Sequence, residues 1–409
     1  MKDSLIARIV LIPCLAILLT ATSAAQQRRT RPATKPAAAS QNSEQLKTEA
    51  DLAREAGKLE DAISLYRRAV AAQPKWVEGW WYLATLLYDR DQYGEAARAF
   101  RQATLLQPNA GAPLVMLGLC EFRLSDYDNA LKHIRQGRQL GLRDNQELNR
   151  VMRYHEGVLL LLKGDFETAQ NVFRALSYDN VNHEDLLIAH GLASLRLPML
   201  PSQVPQNYRD RDLIRRTGLA EHQSAQLNAS DAQHEFERLI ADYPKAPNLN
   251  YALGQFLLRQ RNDEGALAAF QREIENSPSH ALARLQIAYI RLRNKEAEAG
   301  LKLTEEAIKL HPRLPLGHYI LGRILYDTGE NARAIEELET ARRLAPNEPR
   351  VHFALSRAYA KAGRKAEAEQ ARETFARLNK QAEQSAAQGV ARGEAIDENS
   401  EKPKPDPPK

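Results

Sequence analysis

Residues 312–346 of the 409-residue chain read PRLPLGHYILGRILYDTGENARAIEELETARRLAP. A proline stands at each end, and two runs of helix-forming residues lie between them, separated by a turn sequence that contains Gly329. Proline cannot continue a helix, and glycine readily adopts the left-handed conformation that closes one. This stretch therefore predicts a helical hairpin, with two antiparallel helices joined near Gly329.

The interval between the two prolines recurs elsewhere in the chain. A spacing of 34 residues separates successive members of one group of four prolines and the two members of a second group: Pro244, Pro278, Pro312 and Pro346, and Pro74 and Pro108. Self-similarity at a fixed period is the signature of a repeat array rather than of a single globular core.

Within each repeat the small and the bulky residues also keep their places. The first helix carries a small residue at Ala84, Gly118, Gly254, Ala288 and Gly322. The second helix carries one at Ala62, Ala96, Ala130, Ala169, Ala232, Ala266, Ala334 and Ala368, and a bulky residue often follows four places later, as at Tyr66, Phe100, Phe173, Phe236 and Phe270. Two helices can cross closely only where both present small side chains, so this pattern predicts tight hairpins.

This layout resembles the tetratricopeptide repeat (TPR) family, whose 34-residue unit is a helix-turn-helix. The resemblance implies an all-α fold, a right-handed α-solenoid of about nine stacked units with one irregular insertion. The units begin near Ser43, Val77, Gly111, Arg150, Leu213, Pro247, Ala281, Pro315 and Pro349. The expected arrays are an N-terminal one over 43–178 and a C-terminal one over 213–379.

Residues 179–212 interrupt the period. One helix is predicted from Glu184 to Leu197, and the three prolines between Pro198 and Pro205 forbid a second helix of the usual length. Two interpretations remain open: the segment is an eroded repeat, or it is a bend or docking loop between the two arrays.

The two ends of the chain have compositions of their own. Residues 1–25 combine Lys2 and Arg8, a short apolar run and the small residues TATSAA at 20–25, which predicts a secretory signal peptide cleaved after Ala25. The apolar run is too short for a spanning helix, and Cys14 follows Pro13, which disfavours lipid attachment. The expected location is therefore periplasmic or secreted. Residues 26–42, a basic linker, and 380–409, a tail, lack apolar periodicity and are expected to be disordered.

No motif for catalysis or metal binding is present in the sequence. It has no glycine-rich phosphate loop and no paired-cysteine motif, and its 57 Lys and Arg nearly balance its 52 Asp and Glu. The spacing of His318 and His352 equals the repeat period, so they are interpreted as packing or groove residues, and Cys120 as a small buried apolar residue of a first helix. We expect no enzyme activity, no cofactor, no metal and no nucleic-acid partner.

The TPR resemblance implies a binding surface along the first helices of successive units. In this family the residues that face the surface stand at the second, fifth, ninth and twelfth places of each unit. In the C-terminal array these places and the one that follows them carry mainly tyrosine and arginine, residue types that often contribute most interface energy. The predicted partner-binding residues are Tyr251, Gln255, Arg259, Tyr289, Arg293, Tyr319, Arg323, Tyr326, Phe353, Arg357 and Lys361.

The expected function is that of a scaffold in the bacterial cell envelope, which binds an extended acidic peptide or a partner helix in this groove. Peripheral contact with the envelope is compatible with that function. The alternative is a structural component of an envelope machine for polymer export or outer-membrane assembly.

Overall fold

A computed structural model describes residues 37–142 and 145–391, with side chains from 44 to 384 outside the same gap. Over these residues the chain is helical, with no strand. The chain divides into two compact units, and the boundary lies between Leu160 and Leu161. The first unit contains α1 (Ala37–Glu55), α2 (Leu59–Ala72), α3 (Val77–Asp89), α4 (Tyr93–Leu106), α5 (Gly111–Arg123), α6 (Tyr127–Leu140) and most of α7 (Gln146–Leu162).

The second unit holds the remaining helices. They are α8 (Phe166–Tyr178), α9 (Glu184–Ser194), a 3-10 helix (Pro201–Gln203), α10 (Arg211–Ala225), α11 (Ala229–Asp242), α12 (Leu249–Arg259), α13 (Asp263–Asn276), α14 (Ala281–Arg293), α15 (Ala297–Leu310), α16 (Pro315–Asp327), α17 (Asn331–Leu344), α18 (Pro349–Lys361) and α19 (Lys365–Ala391). Successive helices pack as hairpins, and each hairpin packs on the next within its unit. The predicted all-α fold of helical repeats is confirmed.

The small residues lie where the sequence pattern places them. Gly322 of α16 sits against Leu338 and the backbone of Ala334 in α17, and a Cβ at Gly322 would come within 2.6 Å of the leucine side chain. Ala334 and Leu338 are fully buried. The close approach lets the two helices share one core, which explains why a bulky residue follows the small one by four places.

The turns and caps of the hairpins follow local rules. Gly57 and Gly329 take φ values of 69° and 92°, the left-handed region in which glycine has no steric penalty. The second helices α6 and α8 begin after Asp126 and Asp165, whose carboxylates accept hydrogen bonds from the backbone N–H three residues on.

The irregular segment 179–212 lies inside the second unit, and its second helix is replaced by the 3-10 helix. As a result α10 packs directly on α9, and the two cross at Gly191 and Gly218. A Cβ at Gly191 would lie 1.8 Å from the carbonyl oxygen of Ile214, so the two backbones are in contact there. Val204, in the loop, is 2% exposed. The loop is thus packed against the helices that flank it.

Helices occupy more of the two ends than the sequence suggested. α1 begins at Ala37, inside the predicted linker 26–42, and α19 continues to Ala391, inside the predicted tail 380–409. Both additions are rich in alanine and glutamine, which favour helix even without an apolar face. The predicted signal peptide, residues 26–36 of the linker and residues 392–409 of the tail lie outside the described residues. None of the described helices is both long and apolar enough to cross a membrane.

Candidate partner-binding face

The predicted binding residues all lie on α12, α14, α16 and α18, the first helices of four hairpins in the second unit. The structure divides them into two sets. On α12 and α14 they are mainly engaged with the rest of the protein, whereas on α16 and α18 they gather in one place.

Tyr251 is a core residue. It is 5% exposed, and its ring lies against Phe270 and His280 at centroid distances of 5.6 and 4.8 Å. Gln255 Nε2 donates a hydrogen bond of 2.8 Å to the Tyr251 hydroxyl. Burial raises the pKa of Tyr251 to about 12 and also lowers that of His280 to about 4. The prediction that Tyr251 faces a partner is therefore wrong, and Gln255 serves to satisfy the buried hydroxyl.

Arg259 and Arg293 are each paired with a carboxylate of their own chain. Arg259 Nη2 lies 2.7 Å from Glu221 Oε2, and Glu221 is only 2% exposed. Arg293 pairs with Asp263 in the preceding hairpin. Because a buried carboxylate needs a cation beside it, the role of Arg259 is to neutralise Glu221. On α12 and α14, fewer positive charges are therefore available to a partner than the sequence suggested.

Tyr289 and Tyr319 also pack against the core of the second unit. Tyr289 is half-buried and packs against the C-terminal core cluster, in which Tyr319 is 6% exposed. The Tyr319 hydroxyl accepts a 3.1 Å hydrogen bond from Arg323 Nη1. Tyr319 thereby orients the guanidinium of Arg323 and contributes little surface of its own.

Tyr326 carries two cations. The guanidinium carbon of Arg357 is 5.2 Å and the Lys361 ammonium is 4.6 Å from the centroid of its ring. Lys361 Nζ also donates to the Tyr326 carbonyl oxygen at 3.2 Å. The ring face attracts cations electrostatically, and each such contact is worth about 0.5–1 kcal/mol at an exposed site. The two positive charges are thus held at the protein surface.

Phe353 lies beside these cations, and its ring centroid is 5.2 Å from that of Phe375 in α19. The space enclosed by Arg323, Tyr326, Leu338, Phe353, Ala354 and Arg357 is about 10 Å³. That volume holds about one water molecule, so a partner would lie over these side chains and would not enter between them. We call Arg323, Tyr326, Phe353, Arg357 and Lys361 the α16–α18 face.

Arg350 is a residue of this region that the sequence reasoning missed. Its guanidinium lies 5.8 Å from the Tyr319 ring, and its Nε lies 2.8 Å from Glu348 Oε1. Arg350 stands second in the unit that begins at Pro349, a place that the same positional rule assigns to the binding surface. The rule could therefore have found it.

Of the two interpretations of the repeat-spaced histidines, packing or groove residues, their burial supports packing. His318 Nε2 and His352 Nε2 lie 2.9 and 2.8 Å from the carbonyl oxygens of Pro312 and Pro346, each in the turn that precedes its helix. His318 Nδ1 also lies 2.7 Å from Glu337. No group of three or more candidate metal ligands occurs among the described side chains.

Solved structures with a similar arrangement of helices include two of MamA and one of pilF. "Crystal structure of MamA" shares 17% identity over 41% of this chain and 97% of that chain, with a TM-score of 0.37. MamA from Desulfovibrio magneticus RS-1 shares 19% identity over 40% of this chain and 92% of that chain, with a TM-score of 0.35. The pilF of Pseudomonas aeruginosa shares 18% identity over 40% of this chain and 74% of that chain, with a TM-score of 0.37. No curated protein matches the chain.

The family model described as "Tetratricopeptide repeat" matches five stretches, residues 47–97, 83–141, 217–281, 285–349 and 319–383. Together they span more than half of the chain and leave out 142–216, where the irregular segment lies. Hairpin packing, repeat-spaced glycines and repeat-spaced histidines agree with this match. The chain belongs to the tetratricopeptide repeat family, and it is accordingly an all-α solenoid of helical repeats that serves as a protein–protein interaction scaffold.

Proposed function

We propose that the chain is a non-catalytic scaffold of the bacterial cell envelope, which binds an extended acidic peptide or a partner helix on the α16–α18 face. One observation carries the proposal: Tyr326 holds Arg357 and Lys361 over its ring, beside Arg323. In the described part of the chain, Arg323 bonds to the Tyr319 hydroxyl and Lys361 to the Tyr326 carbonyl oxygen, and neither is paired with a carboxylate. Their charge is available to a ligand.

The chemistry of the face favours carboxylates in an extended segment. Arginine presents a planar fork of N–H donors that matches a carboxylate, and the rings of Tyr326 and Phe353 supply apolar area beside it. The cations are partly exposed, so salt screens them, and we expect moderate affinity that falls as ionic strength rises.

Binding of short acidic peptides tests this proposal. We expect a labelled peptide of about 15 residues, rich in Asp and Glu with one aromatic residue, to bind the wild-type chain. Replacing Arg323→Ala and Lys361→Ala together should weaken binding about tenfold or more, because two charge contacts are lost. The matched control is Lys309→Ala with Arg313→Ala, two exposed cations away from the face. Equal weakening by both pairs would refute the assignment of the face.

The proposed envelope location is supported by the sequence of residues 1–25. The protein recovered from the periplasm of a bacterial host should begin at Gln26 on N-terminal sequencing. Recovery of an uncleaved chain from the cytoplasm alone would contradict this location and leave the binding proposal untouched.

A further inference from the structure

The second helices of the three hairpins in the first unit share one distribution of charge. In α2, α4 and α6 every acidic residue stands in the first turn, and the rest of each helix carries basic charges alone. Beyond their first turns the three helices contain seven cations, which are Arg67, Arg68, Arg98, Arg101, Lys132, Arg135 and Arg138. These helices are therefore positively charged along most of their length.

The cations keep the repeat period within these three helices. Relative to the buried small residue of its helix, an arginine stands five places later in all three, and a cation stands two places later in α4 and α6: Arg67, Arg101 and Arg135, and Arg98 and Lys132. In the second helices from α11 onward, the five-place position holds Glu237, Gln271, Glu305, Glu339 and Glu373. A residue that the hairpin fold requires would recur in every unit, so these arginines are not a requirement of the fold.

Two carboxylates join the exposed sides of the three helices. Arg67 Nη2 of α2 lies 2.9 Å from Glu95 Oε2 of α4. Arg101 of α4 and His133 of α6 meet at Glu121, with Nη2 and Nδ1 at 3.5 and 2.6 Å from its two carboxylate oxygens. The exposed sides of α2, α4 and α6 are thus neighbours on one surface.

Three cations on this surface carry charge that the protein does not neutralise. Arg68, Arg98 and Lys132 are exposed, and in the described part of the chain none of them is paired with a carboxylate. The helix dipole favours cations in the last turn, whereas Arg98 and Lys132 lie in the second turn of their helices. Arg101 and Arg135 do contact carboxylates, but 54% and 44% of their side chains stay exposed. We call Arg67, Arg68, Arg98, Arg101, Lys132 and Arg135 the basic face.

The aromatic residues of the three helices do not contribute to the basic face. Tyr66 and Phe100 are fully buried, and Tyr93 and Tyr127 stand at the helix starts, before the cations begin. Protein partners are most often anchored by aromatic side chains, and single-stranded nucleic acids stack their bases on them. The composition of the basic face therefore favours a layer of anionic headgroups over either kind of macromolecule.

An exposed leucine lies beside the cations. Leu105 follows Arg98 by seven residues and Arg101 by four, so the three share one side of α4. Leu105 is 69% exposed. Cations next to an apolar side chain suit the boundary of a lipid bilayer, where headgroup phosphates attract the cations and the apolar group enters the layer below.

We propose that the basic face docks on the surface of a membrane that contains anionic lipid, with lipid phosphates at Arg68, Arg98 and Lys132 and with Leu105 in the headgroup layer. The basic face belongs to the first unit, and the inference stands without the α16–α18 face. Because the cations are exposed, docking should require anionic lipid and should weaken as salt rises.

Sedimentation with vesicles tests the docking. The chain from Gln26 onward, the mature form that the sequence predicts, is mixed with phosphatidylcholine vesicles or with an equal mixture of phosphatidylcholine and phosphatidylglycerol. Substituting Arg68→Gln, Arg98→Gln and Lys132→Gln together should lower the partition coefficient on the mixed vesicles about tenfold or more. The matched control removes three exposed cations from equivalent places in α11, α13 and α15, by Arg238→Gln, Arg272→Gln and Lys302→Gln. It should bind as the wild type does.

Two further variants test the charge and the leucine separately. Arg68→Lys, Arg98→Lys and Lys132→Arg together keep the charge and should keep wild-type binding. Leu105→Gln should weaken binding about threefold, because one apolar contact is lost, while Leu227→Gln, at another exposed leucine, should not. If the charge-preserving variant loses as much binding as the glutamine variant, charge is not what the membrane recognises, and the proposal is wrong.

The linker 26–42 is also basic, so its contribution is measured in its own variant. Neutralising Arg28, Arg29, Arg31 and Lys35 to glutamine should leave most of the binding. If that variant loses all binding while the basic-face variant retains it, the linker holds the membrane and the basic face does not.

The remaining comparisons decide between partners. Equal binding to the neutral and the mixed vesicles would contradict recognition of anionic lipid. Binding of polyglutamate or of a DNA duplex that depends on the basic face, without binding to either vesicle, would assign the face to an acidic protein or to nucleic acid. Arg323→Ala with Lys361→Ala should leave vesicle binding unchanged, so the failure of either proposal is distinguishable from the failure of the other.

Discussion

The Nδ1 atom of His222 lies 2.7 Å from the hydroxyl oxygen of Ser177, which is 45 residues earlier in the chain. The same hydroxyl lies 2.9 Å from Nε2 of His190, so one serine joins two histidines from α9 and α10 to the end of α8. All three residues are buried. This polar cluster lies where the repeat period is interrupted.

The cluster predicts a loss of stability in mild acid. Burial lowers the pKa of His190 well below its usual value, with added repulsion from His222, Arg174 and Arg259, and burial also lowers the pKa of His222. The fold therefore favours the neutral imidazoles, and the unfolded chain takes up protons first as pH falls below about 6.5. Each excess proton on the unfolded chain costs about 1.4 kcal/mol of unfolding free energy per pH unit.

Chemical denaturation at pH 7.5 and 5.5 measures this loss. His222→Gln keeps an amide that can reach Ser177 but does not titrate, so its stability should fall less between the two pH values than that of the wild type. His311→Gln, at an exposed position, serves as the control and should show the wild-type loss. The cluster is not the pH-sensitive element if His222→Gln retains the full loss.

A second prediction concerns the helix crossing beside this cluster. A Cβ at Gly218 would lie 1.8 Å from the carbonyl oxygen of Leu187, and backbone atoms cannot yield as a flexible side chain can. Gly218→Ala should separate α9 from α10 and lower the unfolding free energy by about 3 kcal/mol or more, as overpacking of a tight core does. Gly94→Ala is the control. Nothing lies within 4 Å of its Cβ position in α4, so it should leave stability unchanged or raise it by about 0.5 kcal/mol. Thermal melting of both variants makes the comparison.

A third prediction concerns the start of α12, which has no side-chain cap of the usual kind. Asn248 precedes the helix with φ of 65°, and the fully buried Glu273 of α13 accepts hydrogen bonds from the N–H groups of Asn248 and Tyr251 at 2.9 and 3.2 Å. A carboxylate at a helix N-terminus also meets the positive end of the helix dipole. Glu273→Ala should therefore cost about 1–3 kcal/mol of unfolding free energy, since it leaves buried donors unpaired.

The measurement for this third prediction is a urea titration in which Glu264→Ala, an exposed position on the same helix, is compared with Glu273→Ala. The expected loss is confined to the Glu273 variant. Equal midpoints for the two variants would mean that the N–H groups of α12 find other acceptors.

The sequence predicted features that recur with the period of 34 residues and missed those that do not. Gly322 and Ala334 could be assigned to a helix crossing because their equivalents appear in other units. Gly191 stands 34 residues after Gly157, but Gly218, at which α9 crosses α10, has no such equivalent, since it belongs to the one place where a second helix is missing. Their contact depends on the path of the loop between them, which no local pattern encodes.

The same limit explains the mixed outcome on the binding surface. The positional rule identified the side of the helix on which Tyr251 and Tyr326 lie, but not how deeply each is covered. Burial of Tyr251 depends on Phe270 in α13 and on His280 in the turn before α14. Arg259 is engaged by Glu221, 38 residues earlier. Pairing between separate elements becomes visible only when they are packed together.

A last prediction follows from the different surroundings of Arg259 and Arg323, which the sequence placed in one set. Arg259→Ala would leave Glu221 buried beside no cation, and removal of one partner of a buried ion pair costs about 3–5 kcal/mol. Arg323→Ala removes a partly exposed charge whose described hydrogen bond is to Tyr319, so stability should change by less than about 1 kcal/mol. Binding of an acidic peptide, measured on folded protein, should follow the reverse order: Arg323→Ala weakens it, and Arg259→Ala does not. If Arg259→Ala weakens peptide binding while its melting temperature equals that of the wild type, Arg259 belongs to the binding surface.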